Sequence, residues 1–77
     1  MSEEELKRCF EIYKDCWNHL KQHCKPDDTD EFWNALRDDG SAIGEKYDDQ
    51  IEHQLAVDLV VAANGVIQRY YRKARKS

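Results

Sequence analysis

Segment 55–71, LAVDLVVAANGVIQRYY, repeats its apolar residues with the period of a helix and not of a strand. At about 100° per residue, Leu55, Leu59, Ala62, Val66 and Tyr70 form one stripe. Ala56, Val60, Ala63, Ile67 and Tyr71 form a second beside it, and Val57 and Val61 carry apolar surface further round. The combined arc spans roughly 180–260°, against about 100° for a helix lying on a single core. Such a helix needs two neighbours, or one neighbour and a partner molecule. Asp58 and Asn64 interrupt the run, which falls short of the ~20 apolar residues that cross a bilayer.

The same period predicts two more helices. The first runs from about residue 3 to 24 with Leu6, Cys9, Phe10, Tyr13, Cys16, Trp17, Leu20 and Cys24 in steps of three and four. Ser2 and Glu5 stand in capping-box register at its start, and Glu4 with Arg8 adds an i,i+4 ion pair. Pro26 ends it by pushing Lys25 towards extended backbone. The second helix spans about 30–47, with Asp28 and Glu31 in capping-box register. Asp38-Asp39-Gly40-Ser41 has turn composition, yet Trp33, Leu36, Gly40, Ile43 and Tyr47 keep the helical step through it. One continuous helix is therefore predicted, with a break at Gly40 as the competing reading. Gly40 and Gly44 then lie on one side, where a close neighbour offsets the ~1 kcal/mol that each glycine costs against alanine.

Asp48-Asp49-Gln50 forms the second loop, Asp49 and Glu52 repeat the capping-box spacing, and the third helix spans about 50–73, fraying towards Ser77. Asn64-Gly65 is a turn dipeptide inside that helix. The apolar register continues past it, which predicts a kink or a tight contact. Short loops between three amphipathic helices imply an all-α antiparallel three-helix bundle, a single domain over residues 1–77. Trp17, Phe32 and Trp33 read as its core anchors.

A chain of 77 residues buries only about 60% of its unfolded surface, so a partner subunit would add materially to its stability. The start, MSEEELKRCF, lacks the apolar core of a signal peptide. With no spanning segment, a soluble cytoplasmic protein is expected. Three cysteines do not make a disulfide framework. Cys9 and Cys16 are separated by about 10.5 Å along a helix, beyond the ~7 Å that a disulfide tolerates. Reduced thiols are expected.

The net charge of −4 is unevenly distributed. Residues 1–58 hold sixteen acids and seven bases, whereas residues 59–77 hold five bases (Arg69, Arg72, Lys73, Arg75, Lys76) and no acid. Bases in a last helical turn complement the helix dipole. Interleaved with Tyr70 and Tyr71 they also suit phosphates and unpaired bases, so Arg69, Arg72, Lys73 and Arg75 are candidate nucleic-acid contacts. The acidic remainder of the chain opposes a polyanion.

Cys16-x2-His19-x3-His23 places two imidazoles and a thiol on one helix face, a spacing that can chelate a divalent metal. The glutamate of an HExxH site is absent, and Cys16 also serves the apolar stripe. The acidic doublets 27–28, 38–39 and 48–49 lack the spacing of a calcium loop, and helix capping accounts for them. No catalytic motif is present, so no enzyme activity and no cofactor are expected.

The stretches Asp30-Glu31-Phe32-Trp33 and Ala56-Val57-Asp58-Leu59-Val60-Val61-Ala62, with Ile67-x-Arg69 after them, resemble a type of short uncharacterised helical protein of Firmicutes. The likeness covers about residues 28–72. It implies three helices and a bacterial cytosolic setting, and no activity or site residue.

The expectation is a small non-catalytic interaction or regulatory protein, dimeric through its third helix. Val57, Val60, Val61, Ile67 and Tyr71 are the candidate contact surface. Nucleic-acid binding through the basic end and a His/Cys metal site are the alternatives.

Overall fold

The structure, a computed structural model, describes residues 1–75. Lys76, the last base of the basic end, and Ser77, to which the third helix is expected to fray, lie outside the described residues. Three helices make up the fold: α1 (Glu3–Gln22), α2 (Asp30–Lys46) and α3 (His53–Arg75). Each packs against both others, giving an all-α three-helix bundle. Asp15 meets Lys46 and His23 meets Asp39, so α2 runs antiparallel to α1. Arg8 meets Glu52 and His19 meets Asn64, so α3 runs parallel to α1.

The predicted capping box opens α1. Ser2 Oγ accepts from the Glu5 backbone N–H at 3.1 Å, and Glu5 Oε1 accepts from the Ser2 N–H at 2.6 Å. The Ser2 backbone N–H, and then its side chain, hold the Glu5 carboxyl below its usual value. α1 stops at Gln22, two residues short of the predicted end, where the His23 N–H closes on the His19 carbonyl.

The cap of α2 is Thr29 and not Asp28. Thr29 Oγ1 accepts from the Phe32 N–H at 3.2 Å, while Asp27 Oδ1 accepts from both the N–H and the hydroxyl of Thr29. Asp28 instead accepts from the Tyr71 hydroxyl. α3 starts at His53 and not near residue 50, because residues 45–53 are taken up by successive i→i+3 turns. Glu52 turns inward to pair with Arg8 instead of capping.

α2 is continuous through Gly40, and the packing supplies the reason. A Cβ on Gly40 would lie 2.8 Å from Val60 Cγ1, closer than carbon atoms approach, so a bare backbone is what admits α3. Gly44 has only an ordinary contact, with Val57 at 3.9 Å. α3 likewise runs unbroken through Asn64-Gly65. A Cβ on Gly65 would meet nothing within 4 Å, so no tight contact exists there.

The core comprises Ile12, Cys16, Tyr47, Ala56 and Val60, flanked by Ile43, Leu55 and Leu59. On α3 the buried stripe is the second of the two, through Ala56, Val60 and Ile67. On α1 the buried line is Ile12, Cys16 and His19, only one of which belongs to the predicted apolar stripe. Trp17 is no core anchor: it lies more than half exposed. Phe32 and Trp33 are half-buried, in an edge-to-face run of rings from His23 through Phe32 and Trp33 to Tyr71.

Candidate interaction face

The interior on the α1 side is polar as well as apolar. Buried His19 donates from Nε2 to Asn64 Oδ1 at 2.8 Å, tying α1 to α3. His23, at the end of α1, hydrogen-bonds through Nδ1 to the His19 carbonyl at 2.8 Å. Its Nε2 meets Asp39 Oδ2 of α2 at 3.0 Å. A further polar contact joins α1 to the end of α2: Tyr47 donates to Asp15 at 2.5 Å, and Lys46 donates to the same oxygen at 2.8 Å.

These bonds account for the Cys16, His19 and His23 pattern. His19 Nε2 and both ring nitrogens of His23 are engaged within the fold. Burial, and then the Asp15 charge, push the Cys16 thiol up, away from the thiolate a metal needs. Among the described residues, no group of three or more His, Cys, Asp or Glu side chains is placed to hold a metal ion.

Arg69, Arg72, Lys73 and Arg75 are all exposed along the last turns of α3. Arg75 folds back on Tyr71, its guanidinium 5.6 Å from the ring centroid. Tyr71 packs at 5.1 Å against Trp33, which holds it within the fold, while Tyr70 is 65% exposed.

The five expected contact residues do not form one surface. Val60 and Ile67 are interior, the first against Gly40. Val57 leans on Gly44, and Tyr71 is held between Trp33 and Asp28. Val57, Val60 and Val61 do meet along a groove of about 660 Å³ between α2 and α3, of which Val61 is the exposed wall.

The larger apolar surface lies on the other side, across α1 and α3. Leu6, Phe10, Tyr13 and Trp17 are 55%, 58%, 56% and 57% exposed along one line of α1. Opposite them on α3 lie Leu59, Ala62, Ala63 and Val66, which with Tyr13 and Leu20 line a shallow trough. It continues into a depression of about 700 Å³ towards the helix ends, walled by Trp17, Pro26, Val66 and Tyr70. Sequence periodicity found these residues but placed them inside. The available signal was the surplus itself, two apolar stripes on α3 and a wide one on α1.

No protein-family model matches the chain, and no curated protein or solved structure is detectably similar to it. No helix among the described residues is long and apolar enough to cross a membrane.

Proposed function

We propose that this protein is a small non-catalytic interaction module that self-associates as a dimer through the joint face of α1 and α3. The observation that carries this reading is the continuous exposed line Leu6, Phe10, Tyr13 and Trp17 beside the trough of α3. Monomeric proteins rarely leave apolar patches larger than a few hundred Å² in water.

The total area supports the same reading. The chain exposes 5770 Å², whereas area scaling gives about 4,900 Å² for a compact monomer of its mass. The excess of about 900 Å² goes with an elongated outline of 48 × 19 × 16 Å, which leaves the long α1/α3 face open to a partner. The proposal keeps association through the third helix, adds α1 to it, and moves the contact from the second stripe of α3 to the first. The cytoplasmic, bacterial setting implied by the resemblance belongs to the same proposal.

Sedimentation equilibrium at micromolar concentration is the test. A dimer is expected for the native chain, and a monomer of unchanged helical circular dichroism for Trp17→Glu. A native chain that sediments at 9.1 kDa under these conditions refutes the proposal.

The exposed Arg69, Arg72, Lys73 and Arg75 support a second reading, single-stranded nucleic-acid binding at the end of α3. A salt-dependent mobility shift with an RNA oligonucleotide, lost when the four are replaced by Gln, is its expected signature. No shift at low salt excludes it.

A further inference from the structure

We infer that the second copy lies antiparallel on the first, and that the charge polarity of the α1/α3 layer sets this direction. The inference rests on self-association through that layer and adds its orientation and its dependence on salt.

Because α1 and α3 run parallel, their N-terminal halves share one end of the layer and their C-terminal halves the other. Residues 3–15 and 52–58, at the first end, hold seven acids against three bases. Residues 16–24 and 59–75, at the second, hold five bases (Lys21, Arg69, Arg72, Lys73, Arg75) and no acid of α1 or α3 themselves, the neighbouring Asp28 before α2 being taken up by the Tyr71 hydroxyl. The dipoles of two parallel helices point the same way and do not cancel. They add partial positive charge at the acidic end and partial negative charge at the basic end, which stabilises each helix without erasing the net side-chain charge.

The apolar trough between these ends is nearly free of charge and has no direction of its own. Two copies laid parallel bring acid to acid at one end and base to base at the other. Two copies laid antiparallel about a two-fold axis through the middle of the layer bring each acidic end onto a basic one, twice. Charges at an interface rim act in this way, suppressing the wrong register and speeding the right encounter. The exposed residues Glu3 and Asp58 at one end, and Arg69 and Lys73 at the other, are the charges assigned to this role. The bases at the end of α3 then serve the partner copy.

The orientation is tested by sedimentation of the native chain at two salt concentrations, and by charge reversal. Between about 0.01 M and 0.1 M salt the Debye length falls from ~30 Å to ~10 Å, and the antiparallel dimer is expected to dissociate several-fold more readily. Glu3→Lys with Asp58→Lys in one variant, and Arg69→Glu with Lys73→Glu in another, are each expected to weaken their own dimer about tenfold. An equimolar mixture of the two is expected to restore native affinity as a heterodimer. A native dimer that tightens with salt, or single variants that dimerise as the native chain does, overturns the antiparallel arrangement and leaves self-association standing. A monomer at both salt concentrations overturns both.

Discussion

At the residue scale, Gly40 and Gly65 have the same helical backbone and opposite expected responses to a methyl group. Gly40→Ala puts a Cβ at 2.8 Å from buried Val60. Overpacking of that kind costs about 1–3 kcal/mol, more than the ~1 kcal/mol that alanine returns in helix propensity. Gly65→Ala meets nothing within 4 Å and is expected to gain about 0.5–1 kcal/mol. Urea denaturation midpoints of the two variants check the pair, and shifts of equal sign contradict the packing described here. Asn64→Ala leaves the buried His19 Nε2–H without its acceptor and is expected to cost about 1–3 kcal/mol in the same assay.

The Asp15–Tyr47 contact makes stability depend on pH at both extremes. Burial, and then the Asp15 acceptor, push the Tyr47 hydroxyl up to about 12. Its folded value lies above the unfolded one, so its contribution is full below pH ~10. It is lost as pH rises through the interval to about 12, a change on the order of 2 kcal/mol. Burial opposes ionisation of Asp15, but the hydrogen bonds from Lys46 and Tyr47 outweigh it and hold the carboxyl below its usual value. That contribution is present above pH ~4 and is lost as pH falls below it. In an ultraviolet titration of the four tyrosines, the hydrogen bond to Asp28 is expected to shift Tyr71 upward, and Tyr47 is expected to ionise late. In Asp15→Asn, Tyr47 moves part of the way back, since burial remains. An unchanged titration in the variant contradicts the assignment.

At the element scale, helix starts were legible to different degrees. The Ser2 and Glu5 box formed as its spacing predicts, because both partners belong to one short segment and no distant group competes. Ser2→Ala is expected to cost about 1 kcal/mol and to raise amide exchange in the first turn of α1 selectively; uniform exchange through α1 counts against it. Asp28 and Glu52 have the same spacing signature and do not cap. Each is drawn off by a partner far along the chain, the Tyr71 hydroxyl for Asp28 and the Arg8 guanidinium for Glu52. Local spacing carries no information about such competitors. The continuity of α2 was legible because apolar register outweighs turn composition when a neighbouring helix requires the glycine.

At the scale of the whole molecule, the exposed apolar line of α1 sets the behaviour expected in solution. Trp17 stands in water in the single chain, whereas Trp33 is half-buried, with its indole N–H donating to the Asp27 carbonyl at 2.9 Å. Association should shield Trp17. Tryptophan emission is therefore expected to shift to the blue and to resist iodide quenching as protein concentration rises. In Trp17→Gln the remaining emission should not respond, and Tm should lose its concentration dependence. Quenching that is independent of concentration in the native chain contradicts the α1/α3 face.

The sequence by itself determined the three helices, the cap of α1, the passage of α2 through Gly40, and a surplus of apolar surface beyond what one small bundle can bury. Only the tertiary structure decided which surface became interior. Hydrophobic periodicity is degenerate between two adjacent stripes of one helix, and volume and polar pairing break the tie. Where the bare backbone of Gly40 draws α2 close, Ala56 and Val60 fit, Leu59 is held at the edge of the core and Tyr70 is left outside. The turn of α1 towards that core is fixed by His19 with Asn64, His23 with Asp39, and Arg8 with Glu52. These pairs lie 45, 16 and 44 residues apart. Bonds across such separations leave no periodic trace in the chain, and they turn Phe10, Tyr13 and Trp17 outward.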